Sequence, residues 1–289
     1  MSYLLDCMHT PSEDLRDYRA LLYAESGTGK TTFAAEAGML IVDFEGGTRA
    51  MACQAIDLTS RLDPNPERKK EAPNAWRAAG IWARFRMVVE DLSELAGNDL
   101  LPIRGLAIDT IDAAYDAAMA CVFEAHGWKE IDDAGPFGRG YTVVLDELKR
   151  SVGMLDELGV GLFFLAHAKE REFKARGQVP YSKIVPAMPP SACRWLLGAC
   201  DLVLYGEVAL DTDGRELRVL HSQPSHRFDA KARGRRDHPL PSPLPLDYNT
   251  FAVSFEAAMR GEAKASPITL AAADPVEAPT TTGSNPWAD

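Results

Sequence analysis

Seven consecutive residues, Ser26-Gly27-Thr28-Gly29-Lys30-Thr31-Thr32, have the make-up of a loop that wraps phosphate. In such a loop glycines let successive backbone N–H groups converge on one anion. A lysine carries positive charge to the β and γ oxygens, and the hydroxyl that follows it can ligate Mg²⁺. The run follows the apolar Leu21-Leu22-Tyr23 and opens a helical stretch, which is the strand–loop–helix context the chemistry requires. The full spacing is GxxxxGK[ST], with Ala24 standing at its first position. The bland alternative is a glycine-rich turn that binds nothing. The strand before it and the helix after it favour a phosphate site, in which Lys30 holds phosphate and Thr31 the metal.

A phosphate loop identifies a nucleotide but not the reaction, so other strand ends must supply the rest. Arg104-Gly105-Leu106-Ala107-Ile108-Asp109-Thr110 reads as a buried strand ending in a carboxylate, where Asp109 can hold the water shell of Mg²⁺. Asp109 or Thr110 can also cap the helix expected from Ile111, and the two roles are compatible. Met39 to Phe44 is a second apolar run, followed by Glu45-Gly46-Gly47. A carboxylate there can orient and deprotonate an attacking water, or it is simply an exposed loop acid. His167 follows the apolar Gly161 to Ala166, at the sheet edge where open α/β folds bind ligands. It is a candidate sensor of the γ-phosphate, against the plain reading of a satisfied polar group.

These residues need elements to hold them. The apolar runs Leu21–Tyr23, Met39–Phe44, Leu106–Ile108, Val160–Ala166 and Asp201–Tyr205 suit strands buried on both faces. Helical patterns over Ile81–Leu95, Ile111–Ala125 and Tyr141–Leu158 lie between them, so the order predicts an α/β fold with a mostly parallel sheet flanked by helices. After Tyr205 an Asp211-Thr212-Asp213-Gly214 turn joins Glu207–Leu210 to Glu216–Ser222, which predicts an antiparallel C-terminal extension. The segment Asp63–Ala75, rich in proline and charge, reads as an exposed loop.

The chain has 289 residues and a net charge of −11, with 46% hydrophobic and 25% charged content. That composition is typical of soluble globular proteins and excludes collagen-like, wholly disordered and disulfide-scaffold classes. It also argues against a protein that coats DNA by global charge, while leaving room for a local basic groove. Five scattered cysteines without a CxxC pair suggest neither a disulfide framework nor a zinc site. With no apolar run of membrane-spanning length and no leader-like start, a cytoplasmic protein is expected. Residues 262–289 hold four Pro, seven Ala and four Thr at a net charge of −3, and read as a disordered acidic tail after a single domain over 1–261.

The order Tyr23–Thr32, Ile41–Gly47, Ala107–Thr110, Leu165–Lys169 and Ser225–Pro241 resembles the RecA-like ATPases. The likeness is greatest to a phage-encoded branch of AAA-family nucleotide-binding proteins that includes Sak-type single-strand annealing ATPases. The resemblance covers roughly Tyr18 to Ala258, and Asp43-x-Glu45-Gly46-Gly47 is its most distinctive string. It implies a RecA-like core using ATP and Mg²⁺, with Ser26 to Thr32 around the phosphates and Asp109 and Thr31 at the metal. It implies Glu45 as the catalytic carboxylate and His167 as γ-phosphate sensor. Lys231-Ala232-Arg233 resembles the Lys-x-Arg pair that ring motors such as the DnaB helicases insert into a neighbour's site, so Lys231 and Arg233 are expected to act in trans within a homo-oligomer, ring or filament. Its surroundings, Arg227–His238, carry net charge +3 and otherwise read as a solvated basic loop.

Lys169 to Lys183 combines five basic and two acidic residues with Phe173 and Tyr181. Cations that track phosphates beside aromatics that stack bases suit single-stranded DNA, and Lys169, Arg171, Lys174, Arg176 and Lys183 are the expected contacts. The family resemblance places a DNA-facing loop here, over Lys169–Pro190, with Gly135–Tyr141 as a second candidate; a charged surface loop is the alternative. Together these readings give a DNA-dependent ATPase of phage-type recombination or annealing, encoded by a phage or prophage and acting in the host cytoplasm. A ring helicase or packaging motor, or a nucleotide-gated adaptor with negligible turnover, remain alternatives. The tail is a candidate docking peptide for a replication partner such as a single-strand-binding protein.

Overall fold

The structure, a computed structural model, describes residues 12–59, 73–174, 180–232, 239–262 and 267–271. Its strands are β1 (Arg19–Ala24), β2 (Leu40–Asp43), β3 (Ala55–Asp57), β4 (Gly105–Asp109), β5 (Gly161–Phe173), β6 (Tyr181–Pro186), β7 (Leu202–Leu210), β8 (Glu216–His221), β9 (Lys231–Ala232) and β10 (Leu244–Pro245). The helices are α1 (Lys30–Glu36), α2 (Pro73–Gly97), α3 (Ile111–His126), α4 (Arg139–Asp156), α5 (Pro190–Ala199) and α6 (Tyr248–Arg260).

The main sheet runs β10-β8-β7-β1-β5-β4-β2-β3. From β3 to β7 every neighbouring pair is parallel. The antiparallel β7–β8 hairpin and β10 then extend it, as the Asp211–Gly214 turn predicted. Alternation along each buried strand divides the core in two. Leu21 and Tyr23 of β1 and Leu162 and Phe164 of β5 face the side covered by α2, α3, α4 and α5. Ala20, Leu22, Phe163 and Leu165 face the side covered by α1 and α6. A seven-residue helix such as α1 is marginal alone in water, and Phe33 fastens it down. Its ring stacks on Phe163 with centroids 5.7 Å apart and meets Tyr248 and Phe251 edge-on. Burying such a ring is worth about 1.5–3 kcal/mol, and the anchored helix presents Lys30 and Thr31 from its first turn.

Three expectations are corrected. Of the supposed loop Asp63–Ala75, residues 63–72 lie outside the described residues, but Pro73 already begins α2, where a proline needs no N–H partner. The expected loop Lys169–Pro190 is largely a β-ladder: β5 continues past the sheet and pairs antiparallel with β6, from Ala168↔Pro186 to Phe173↔Tyr181. Within 262–289, residues 267–271 are held rather than free. The Ile268 N–H donates to Pro243 and the Ala271 N–H to Leu210, an edge pairing that depends on backbone groups more than on composition. Residues 263–266 and 272–289 lie outside the described residues. Among the described residues no helix is long and apolar enough to cross a membrane.

Candidate nucleotide site

Strand register brings the expected residues together. Ala24, at the end of β1, lies opposite His167 of β5, and Asp109 of β4 lies opposite Asp43 of β2 and Leu165 of β5. Their C-terminal ends open on a cleft of about 470 Å³ lined by Ser26, Gly27, Gly29 and Lys30 to Thr32 on one side. Asp43, Glu45, Asp109, Thr110 and His167 line it further along. Thr28 is the exception in the loop: it is buried, and its hydroxyl donates to the Glu25 carbonyl at 2.9 Å, which closes the turn from within. Gly27 and Gly29 have φ of 77° and 118°, left-handed values that disfavour side chains. Ala24 shows no such φ, because it is still strand, which explains why alanine suffices there.

Lys30 is 6% exposed, and its ammonium donates to the carbonyls of Ala24 at 3.1 Å and Glu25 at 3.0 Å. Burial lowers its pKa, against the opposing pull of Asp109, Asp112 and Glu45. The Thr31 hydroxyl donates to Asp109 Oδ2 at 2.6 Å. Burial above all, with Asp43 and Glu45 adding repulsion, pushes Asp109 up to about 6, while the Thr31 bond and Lys30 work the other way. The cap of α3 proves to be Thr110, whose hydroxyl accepts from the Ala113 N–H, so Asp109 keeps its carboxylate for Thr31. Thr110 also donates to Glu45 Oε2 at 3.3 Å. Glu45 is half exposed, with Oε2 4.0 Å from His167 Nε2.

Two acids that carry much of this geometry have no role assigned by the sequence alone. Asp43, 1% exposed, accepts from the Glu45 and Gly46 N–H groups through Oδ1. Through Oδ2 it accepts from the Thr48 N–H and hydroxyl, so it folds the turn that aims Glu45. The signal was an aspartate two residues before a Glu-Gly-Gly turn, a common side-chain-to-backbone motif. Asp112, in the first turn of α3, accepts from the His167 backbone N–H at 3.0 Å and pairs with Nδ1 at 2.8 Å. That hydrogen bond raises the His167 pKa, against burial. Burial alone would raise Asp112, but the bonds from His167 outweigh it and lower its pKa.

The donor set suits Mg²⁺ with a nucleotide. Among the described residues no group of three or more His, Cys, Asp or Glu side chains is arranged to hold a metal by itself. Mg²⁺ bound with phosphates needs only one or two protein groups, and Thr31 Oγ1, with the Asp109 carboxylate directly or through the water shell, could supply them.

The AAA-domain family model AAA_24 matches residues 16–234, three quarters of the chain, a span that includes every residue lining this cleft. The chain belongs to the AAA_24 family of AAA domains. It is therefore a P-loop ATPase of AAA type. No curated protein matches its sequence. Among solved structures, a KaiC-like protein of the archaeon Pyrococcus horikoshii is similar at 15% identity and a TM-score of 0.37, over 78% of this chain and 89% of that one.

The other expected residues lie elsewhere. Lys231, in β9, donates to the Leu197 carbonyl at the end of α5, outside its own chain's cleft. Arg233 and Arg176 lie outside the described residues. On the β5–β6 arm Lys169 and Lys174 are exposed, whereas Arg171 donates to the Met188 carbonyl and Lys183 pairs with Asp229 at 2.6 Å. In the second candidate, Gly135–Tyr141, Phe137 is fully exposed, but Arg139 to Tyr141 form the start of α4 and not a loop.

Proposed function

We propose that this protein is a Mg²⁺-dependent, RecA-like ATPase of the phage annealing branch, assembling on single-stranded DNA during recombination in a host cytoplasm. The observation that carries the ATPase half is the meeting of Lys30, Asp109, Glu45 and His167 at neighbouring parallel strand ends. Lys30 exchanges its two backbone carbonyls for phosphate oxygens, which turns a buried, costly charge into a paired one. Glu45, held by the Asp43 turn, takes the proton of the attacking water. His167, with Nδ1 fixed by Asp112, points Nε2 toward Glu45 and the same end of the cleft, where it registers the γ-phosphate. Mg²⁺, when bound, neutralises charge on the β and γ oxygens.

The DNA half is supported by the β5–β6 arm. It projects beyond the sheet, carries exposed Lys169 and Lys174, and ends in Phe173 stacked on Tyr181 with centroids 5.6 Å apart. Because β5 also delivers His167, one strand links the nucleotide cleft to the arm.

The decisive test is ATP turnover with and without single-stranded DNA, for the native protein, Lys30→Ala and Glu45→Gln. DNA-stimulated turnover is expected, lost in both variants, with Glu45→Gln still binding ATP and slowed about 10²- to 10⁴-fold. ATP binding without turnover would make the chain a nucleotide-gated adaptor, and strand displacement without annealing would make it a helicase-type motor.

A further inference from the structure

Arg218 is a cation in the cleft that no sequence motif announces. It lies on β8, lines the cleft with Ser26, Gly27, Gly29 and Lys30, and is exposed. Its guanidinium has no hydrogen-bond or ion-pair partner among the described residues.

Two features fix its place. In the β7–β8 hairpin Arg218 lies opposite Val208, two residues past Gly206, and Gly206 lies opposite Ala24 at the end of β1. Since β7 runs parallel to β1, Arg218 stands beyond the strand end, beside the phosphate loop. Its carbonyl also accepts from the Leu246 N–H at 2.9 Å. Leu246 packs between β7 and the loop: a Cβ on Gly206 would fall 2.7 Å from one of its methyls, and one on Gly29 3.4 Å from the other. The backbone of Arg218 is thus joined to the phosphate loop through a single packed residue.

The strand ends also set which part of a nucleotide it meets. Across the sheet the order is β8 with Arg218, β7, β1 with the phosphate loop, β5 with His167, β4 with Asp109, then β2 leading to Glu45. Every group suited to the metal and the γ-phosphate stands on the far side of the loop from Arg218. The cleft and its rim hold Asp43, Glu45, Asp109 and Asp112, so an entering polyphosphate meets strong repulsion there and gains most from a cation on the opposite flank. A guanidinium fork matches two phosphate oxygens at once, which an ammonium does not.

We infer that Arg218 grips the α/β end of the polyphosphate of a nucleoside di- or triphosphate, in the same chain that supplies the phosphate loop. This rests on the reading of Ser26 to Thr32 as a nucleotide site and assigns a binding residue that the reading lacked. It makes the antiparallel extension part of the nucleotide site and leaves the γ-phosphate to the far side.

The test titrates fluorescent ATP and ADP analogues, with Mg²⁺, into the full chain and its Lys30→Ala, Arg218→Ala, Arg218→Gln and Arg218→Lys variants, each checked for folding by circular dichroism. Arg218→Ala is expected to weaken ATP and ADP alike by about tenfold. Arg218→Lys should recover part of the loss, and Arg218→Gln, which keeps a long polar side chain, should lose as much as alanine. Unchanged affinity in Arg218→Ala and Arg218→Gln would overturn the inference. So would weakening of ATP alone, which would put Arg218 at the γ-phosphate. Native affinity in Lys30→Ala would instead overturn the nucleotide site itself, a result separable from the first two.

Discussion

Asp112 shows how a functional residue can be invisible beside the one it serves. His167 was legible as the polar residue closing a buried strand, but its orientation depends on an acid 55 residues earlier in the chain. The pair makes a prediction with a definite sign. The fold raises His167 above its ordinary 6.5, so that part of the stabilisation is fully present below 6.5 and is lost as pH rises through the raised value. It lowers Asp112 below 3.8, so that part is present above 3.8 and is lost as pH falls through the lowered value. Both contributions are therefore fully present between 3.8 and 6.5, and the His167 part is lost as pH rises through its raised value. The melting temperature of the native protein should exceed that of Asp112→Asn at about pH 5.5, and the gap should narrow by about pH 8.5. Parallel thermal melts across that range check it, and a gap that does not change with pH would remove the charged pair from the account.

At the scale of elements, the β5–β6 arm was missed for a physical reason. Strands announce themselves by one apolar face, and Lys169-Glu170-Arg171-Glu172 has none. What holds it is the ladder to β6, with side-chain anchors from one opposed pair, Arg171 to the Met188 carbonyl and Lys183 to Asp229. The buried strands and α3, α4 were readable because burial on both faces, or one apolar stripe, leaves its period in the residues. If the arm carries DNA, its aromatic end contributes by stacking, worth about 1–3 kcal/mol per base. Phe173→Ala with Tyr181→Ala should then weaken single-strand binding by at least tenfold at fixed salt, while turnover without DNA persists. Fluorescence anisotropy with a labelled oligonucleotide reads the first and a phosphate-release assay the second. Undiminished binding would move the DNA surface off the arm.

For the whole molecule the question is assembly. The net charge of −11 makes self-association depend on local complementary patches rather than on overall attraction. Lys231 donates within its own chain to Leu197, so any service in a neighbour's site requires that bond to be exchanged on assembly. Arg233, two residues on, carries the clearest prediction, because a trans cation acts only across an interface. Turnover per subunit of the native protein should rise with concentration as it assembles, whereas Arg233→Ala should stay low by about 10³-fold despite normal ATP binding. Turnover measured alongside sedimentation velocity checks this, and native turnover in assembled Arg233→Ala would exclude the finger.

What the residues determined alone was local: a phosphate loop whose glycines, lysine and threonine act within seven positions, the buried strands beside it, and the hairpin turn at Asp211–Gly214. Those features rest on backbone conformation and short-range periodicity, which neighbours in sequence control. Only the tertiary structure decided that Asp43 is spent on folding the Glu45 turn, that Asp112 fixes His167, and that Arg218 faces the cleft from a strand nearly 190 residues after Lys30. Each depends on strand order and register across the sheet, which follow from how the helices pack on its two faces and leave no mark in any single segment.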